Sequence, residues 1–302
     1  DAERESCVMG GAKIGLVELP LALMNPGDLL LLPDPGYPDY LSGVSLGRVS
    51  YETFPLTAEN DFLPDLDAIP EETARRAKFI YINYPNNPTG AVATKDFYEK
   101  LVAWAKTYEV GVVSDLAYGA LGYQGYENPS FLSTPGAKDV GIEFYTFSKT
   151  FNMAGWRLAF AAGNDQMIEA LNLIQDHLFV GIFPALQEAG IAALLDPKSE
   201  EVVAQLNATY DSRRDAFVQA AAKIGWQAFP SRGSFYAWMP VPEGYTSESF
   251  ADLLLEKVHV AVAPGKGFGP AGDAYVRIGL LVEPERLVEA VNRIANLHLF
   301  NN

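Results

Sequence analysis

Through the first two-thirds of the chain, short apolar runs bounded by turn residues alternate with segments whose apolar positions recur every three or four residues. Asp28–Pro33, Lys78–Asn83, Val110–Asp115, Gly141–Phe147 and Arg157–Gly163 are runs of the first kind. Thr94–Glu109 is of the second kind, the spacing of a helix with one buried face. The strand-like runs are continuous rather than alternating, which predicts strands covered on both faces. The expected fold class is therefore α/β, a mostly parallel sheet between helices.

After about Asp165 the texture changes. Gln166–Leu195 is helical in pattern with a break near Phe183-Pro184, and Glu200–Ile224 reads as one long helix. Beyond it, short strands (Ser234–Met239, His259–Ala263, Ala274–Leu281) mix with two helices (Ser247–Lys257, Glu283–Leu297). The expected organisation is a large domain over 1–195, a connecting helix over 196–225 and a smaller α+β domain over 226–302. At the start, Asp1–Glu5 leads within a few residues into a β-like run and a glycine pair.

A length of 302 residues accommodates such a large and small pair. Formal net charge is −16, from 22 basic and 38 acidic residues spread along the chain. That balance argues against nucleic acid or an anionic membrane surface as a partner. The single cysteine, Cys7, excludes an internal disulfide, fits a reducing compartment, and sits in an apolar stretch that suits a core residue better than a reactive thiol. No apolar run approaches the ~20 residues of a membrane span, and no signal peptide is visible, so a cytoplasmic location is expected. Three scattered histidines lack metal-ligand spacing.

Several positions carry candidate chemistry. Gly10-Gly11-Ala12-Lys13 precedes an amphipathic helix expected to begin near Ile14, either an ordinary tight turn or a phosphate cradle at a helix N-terminus. Asn86-Asn87-Pro88-Thr89-Gly90 follows a strand and reads as a turn, or as a place where Asn87 meets a ligand at a strand end. Asp115 ends an apolar strand three residues before Tyr118, and could cap a helix or hold a cationic ring nitrogen that Tyr118 accompanies. Lys149 follows another strand, beside Thr146 and Ser148, and is a solvated charge or an amine able to attack an aldehyde. Arg157 and Arg277 stand inside apolar runs, where each should meet an anion, whether a structural carboxylate or a bound phosphate or carboxylate.

Taken in order, these strings resemble the class I/II aminotransferases, the fold type I enzymes that use pyridoxal phosphate, over Cys7 to Leu299. The resemblance implies that Lys149 forms the cofactor aldimine and shuttles the proton, and that Asp115 keeps the pyridine nitrogen protonated. It implies that Tyr118 and Asn87 bond the ring oxygen, and that Tyr37 of Asp34-Pro35-Gly36-Tyr37-Pro38 stacks on the ring, with Tyr40 the alternative. Phosphate would be held by Gly11, Ala12 and Lys13, by Thr146 and Ser148, and by Arg157, while Arg277 with Asn87 would clamp the substrate carboxylate. A homodimer with a shared active site, and amino acid and 2-oxo acid substrates, follow from the same resemblance.

Within that family, Gly11-Ala12-Lys13, Asp34–Tyr40 and Ser148–Arg157 are most similar to a bacterial branch of LL-diaminopimelate and methionine-salvage aminotransferases. The apolar and aromatic stretch Gln175–Phe183 leans toward substrates with neutral or sulfur-containing side chains. Family members carry a segment before the point matching Asp1, which implies an incomplete small domain with an exposed sheet edge for the chain as given. Two other readings share the motifs: a pyridoxal-phosphate C–S lyase, and a cofactor-binding fragment without turnover. No helix-turn-helix or basic segment supports a regulator.

Overall fold

The computed structural model describes residues 1–300. The continuous apolar runs become strands because each feeds two cores at once. Leu29 and Leu31 of one run join the same core as Ile80, Ile82 and Val112, whereas their neighbours Leu30 and Leu32 join the opposite core with Phe79, Tyr81 and Val113. The strands are β1 (Ser6–Met9), β2 (Leu29–Asp34), β3 (Ser50–Pro55), β4 (Ala77–Asn83), β5 (Gly111–Asp115), β6 (Gly141–Thr146) and β7 (Ala159–Gly163). They form one sheet in the order β1-β7-β6-β5-β4-β2-β3, in which only β7 runs against its neighbours. A mostly parallel sheet is as the sequence pattern implies, and its seven strands are as the resemblance to fold type I enzymes implies.

Helices cover both faces. In this region they are α1 (Ala12–Leu23), α2 (Tyr40–Gly47), α3 (Glu71–Arg76), α4 (Lys95–Tyr108), α5 (Ala137–Val140), α6 (Phe147–Thr150), α7 (Asp165–Phe179) and α8 (Pro184–Leu195). Leu16 and Leu19 of α1 and Ile168 and Leu171 of α7 pack on one face, and Phe97, Leu101 and Trp104 of α4 on the other. The 25-residue helix α9 (Ser199–Lys223) leads to a second layer, with β8 (Tyr236–Pro240), α10 (Ser247–Val258), β9 (Ala263–Pro264), β10 (Tyr275–Gly279) and α11 (Pro284–Ala295). Its antiparallel sheet, β8-β10-β9, packs on Phe217, Phe250, Leu254, Leu287 and Val291.

The differences from expectation have local causes. β3 went unnoticed because Ser50, Tyr51 and Pro55 of this edge strand are exposed, which dilutes the apolar pattern. β7 begins at Ala159 rather than Arg157, because Arg157 adopts a left-handed conformation (φ 54°) after a short turn and is exposed. His259–Ala263 is mostly not a strand: His259 ends α10 with φ 57°, and only Ala263 and Pro264 pair. The helix expected near Ile14 begins at Ala12 and is more deeply buried than an amphipathic surface helix, with even Glu18 enclosed and bonded to Gln175.

The strand register sets the position of the site. Asn83, Asp115 and Thr146 are the last residues of β4, β5 and β6; Asn83 lies opposite Asp115 and Asp115 opposite Phe144. The carboxyl ends of parallel strands thus converge on one edge, where α1 also begins.

Thr94 caps α4 by accepting the Phe97 N–H at 3.1 Å. Thr94→Ala should lower stability by about 1 kcal/mol, seen as a lower urea midpoint with an unchanged slope. An unchanged midpoint would show that the cap contributes nothing.

Candidate active site

Asn83 organises the first corner of the site. Its Nδ2 donates to the Asp115 carbonyl at 2.7 Å, and its Oδ1 accepts the Asn87 N–H at 2.8 Å. Within the following turn, Asn86 Oδ1 accepts the Thr89 N–H and hydroxyl, at 3.0 and 2.8 Å. The turn is real and it delivers Asn87, whose Oδ1 accepts from Arg277 at 2.6 Å. Arg277 comes from β10, so this bond joins the second sheet to the first. Its guanidinium lies over the rings of Tyr236 and Phe268, at 4.1 and 4.5 Å.

Asp115 is buried, and no helix follows it, so it is not a helix cap. Its Oδ2 accepts from the Tyr40 hydroxyl at 2.8 Å, whereas the buried Oδ1 has no partner among the described residues. Burial pushes the carboxyl up to about 6, against the opposing pull of the Tyr40 hydroxyl, the Ala117 N–H and Lys149. Tyr118, also buried, keeps its hydroxyl 3.5 Å from that of Tyr236, and burial raises its pKa well above the usual phenol value.

Lys149 sits on the short helix α6, half-buried, with Nζ 5.2 Å from the centre of the Phe235 ring. Burial lowers its pKa, the nearby Arg157 and Arg277 charges lower it further, and Asp115 partly opposes them. Before it, the Thr146 hydroxyl donates to the Ser148 hydroxyl at 3.0 Å and accepts the Ser148 N–H at 3.2 Å. Arg157 reaches back over the start of α1, and a Cβ on Gly11 would stand 2.1 Å from its guanidinium. Gly11 also has φ 112°, so glycine is required there on both counts. Neither Arg157 nor Arg277 is paired with a carboxylate among the described residues, so the structural salt-bridge reading fails for both.

A cavity of about 320 Å³ gathers these groups: Asn87, Asp115, Tyr118, Lys149, Arg157 and Arg277 line it, with Ala12, Lys13, Tyr37, Thr146 and Ser148. Gly11 stands behind the lining, against Arg157. Lys13 directs its side chain to Asp39 at 2.6 Å. Tyr40 lies beneath Tyr37, edge-on at 5.5 Å, and meets Asp115 rather than the cavity. Gln175–Phe183 lies outside the lining, with Leu178, Phe179, Val180 and Phe183 exposed, so its apolar character describes a surface rather than this cavity. Sequence reasoning missed Asn83, Tyr236, Phe235 and Phe268; only Asn83, at a strand end, carried a signal that could have found it.

The residues present fit pyridoxal phosphate. The unpartnered Asp115 Oδ1 suits a protonated ring nitrogen, and the α1 N-terminus with Arg157, Thr146 and Ser148 offers donors to a phosphate. A lysine of lowered pKa beside them suits an aldehyde. Fold and donor set together define a pyridoxal-phosphate enzyme of fold type I.

Residues 1–294 match the family model for aminotransferase class I and II, and the chain belongs to that family. It is 57% identical over 300 residues to the L-glutamine–4-(methylsulfanyl)-2-oxobutanoate aminotransferase of Bacillus subtilis, covering 99% of this chain and 75% of that protein. It is 48% identical over 294 residues to the LL-diaminopimelate aminotransferase of Moorella thermoacetica, covering 97% of this chain and 75% of that protein. The apo structure of BacF from Bacillus subtilis superposes with a TM-score of 0.95 at 45% identity, covering all of this chain and 77% of that one. The protein is thus a pyridoxal-phosphate-dependent aminotransferase acting on amino and 2-oxo acids.

Removing the Tyr40 hydroxyl takes a donor from the Asp115 carboxylate and favours its protonated form. Tyr40→Phe should therefore move the acid limb of kcat/KM upward by about 1–2 pH units, the equivalent of a lost hydrogen bond to a charged group. A pH profile superimposable on that of the unaltered enzyme would refute this role.

Proposed function

We propose that Lys149, Asp115, Tyr118, Asn87, Arg157 and Arg277 carry the transamination, in a large unit (1–195) joined through the long helix (196–225) to a small one (226–302). The orphaned Oδ1 of Asp115, a residue that lines a cavity also holding a lysine of lowered pKa, is the observation that carries this reading. When bound, pyridoxal phosphate supplies an aldehyde that condenses with amines and a protonated ring that draws electrons from the Cα–H bond.

Each residue then has a defined task. Asp115, as the carboxylate, would favour a protonated ring nitrogen by offering its unpartnered Oδ1. The lowered pKa of Lys149 leaves more of its amine uncharged near neutral pH, so Nζ can act as nucleophile, then take the α-proton and return it as the acid. Asn87 and Tyr118, both neutral donors, would bond the ring oxygen, Tyr37 would lie against the ring, and Arg157, Thr146, Ser148 and the N–H groups of Gly11, Ala12 and Lys13 would hold the phosphate. Arg277 holds the substrate carboxylate with a bidentate fork, and Asn87 shares that contact.

A neutral, sulfur-containing side chain is the substrate class proposed. The cavity-lining cations Lys149, Arg157 and Arg277 all have tasks, and Lys13 is paired with Asp39, which leaves no lining cation of this chain for a second carboxylate. The methylsulfanyl substrate in the name of the Bacillus subtilis relative agrees with this. A homodimer is proposed to cover Val8, Leu173 and Val180, which line one shallow cleft, together with exposed Phe179 and Phe183. The reducing cytoplasm is the proposed compartment, on the single buried thiol of Cys7.

Protein mixed with pyridoxal phosphate should give a yellow visible band that methionine or glutamate discharges, and Lys149→Ala should abolish it. A band that persists in Lys149→Ala, or that neither amino acid alters, would remove the assignment. Leu173→Glu should convert the dimer to a monomer in analytical ultracentrifugation; an unaltered sedimentation coefficient would place the subunit contact elsewhere.

A further inference from the structure

One buried acid close to the cavity has no part in this scheme. Asp34 closes β2, is enclosed, and forms no ion pair among the described residues. Burying an uncompensated carboxylate is costly, so its retention calls for a specific contact. That contact is the loop before β10. Asp34 Oδ1 accepts the Ala271 N–H at 3.0 Å, and the backbone of Gly269 presses so close that a Cβ there would stand 2.2 Å from the same oxygen. Two residues on, the Gly36 N–H donates to the Phe268 carbonyl at 2.8 Å.

The loop reads Gly265-Lys266-Gly267-Phe268-Gly269-Pro270 and folds as two short 3₁₀ turns joined at Gly269, whose φ of 132° requires glycine. The β2 end pins it at two points, on either side of Gly269. The first pinned residue, Phe268, has its ring centre 4.5 Å from the Arg277 guanidinium, which also lies 4.1 Å from the Tyr236 ring and donates to Asn87. The fork of Arg277 therefore has three side-chain neighbours, and one of them rides on the loop that Asp34 holds.

We propose that Asp34 is a positioning residue for the substrate carboxylate, acting through the 266–271 loop and Phe268 to hold Arg277 ready for it. The inference rests on the assignment of Arg277 to that carboxylate. It gives the Asp34–Tyr40 turn two functions: Tyr37 and Tyr40 serve the ring side of the cavity, and Asp34 the carboxylate side.

The test uses pyridoxal-phosphate-loaded protein titrated with L-methionine, following the visible band and its rate of change. Asp34→Ala and Phe268→Ala should each raise half-saturation by methionine about tenfold, with the limiting rate and the affinity for pyridoxal phosphate within about twofold of the unaltered protein. Asp34→Asn, which keeps an oxygen for the Ala271 N–H, should stay within about threefold, and the double Asp34→Ala, Phe268→Ala variant should be little worse than either single one. A purely structural role would instead lower the melting temperature and the limiting rate without this split, and would overturn the proposal. So would an unmoved half-saturation in Phe268→Ala, which keeps the test decisive even if Asp34→Ala does not fold. Arg277→Ala separates the two levels. If it weakens methionine binding while the loop variants do not, the inference about Asp34 alone fails; if Arg277→Ala binds methionine normally, the assignment of Arg277 fails with it.

Discussion

A carboxylate enclosed at the end of a central strand is the constraint around which this molecule is arranged. Asp115 gains one donor from Tyr40 and leaves its other oxygen unanswered, a state that water would relieve and that burial prevents. Because its folded pKa lies above the usual carboxylate value, its contribution to stability is present at low pH and is lost as pH rises through about 6. At neutral pH the protein therefore carries a stability cost at this residue. A cationic ring nitrogen at the free oxygen removes that cost, so the unmet bond that weakens the apoprotein also favours cofactor binding.

The opposite charge is arranged in the same way. Lys149, Arg157 and Arg277 share the cavity, and the two arginines depress the lysine. A phosphate at Arg157 and a carboxylate at Arg277 would neutralise those charges in turn. The lysine is thus most easily deprotonated while the anion sites are open, and its basicity rises as they fill. Anion binding and proton transfer are coupled through space, with no moving part required.

Much of the fold was legible because parallel strands buried on both faces leave continuous apolar runs; β2, β4, β5 and β6 lie within a residue or so of where those runs suggest. β3 was not legible, because an edge strand with exposed Ser50 and Tyr51 looks like a loop. Arg157 was misplaced within a strand because a left-handed residue between a turn and a strand leaves no mark on hydrophobic patterning. For the site, residue identity carried the information: Asp115 ends a strand, and Lys149 and Asn87 follow strands within four residues, where polar chemistry is out of keeping with the run before it. Tyr236, Phe235 and Phe268 escaped notice since an aromatic residue facing a ligand and one in a core are the same letter, and only the fold distinguishes them.

Among the polar contacts between the second sheet and the first, two lie beside Arg277. Arg277 to Asn87 and Ala271 to Asp34 both cross between the β10 region and the carboxyl ends of the parallel strands. Asn87 is held by Asn83, which is itself bonded to the Asp115 backbone, so Asp115 and Arg277 belong to one hydrogen-bonded chain. A shift of β10 relative to the large sheet would therefore move Arg277 and strain Asn87 together, while Asp115 remains fixed by its strand and by Tyr40. On the proposed assignment, most groups for the cofactor come from the large sheet, whereas the carboxylate group Arg277 depends on how the two sheets are held. That division suits a reaction in which the cofactor stays and the amino and oxo acids must enter and leave in turn.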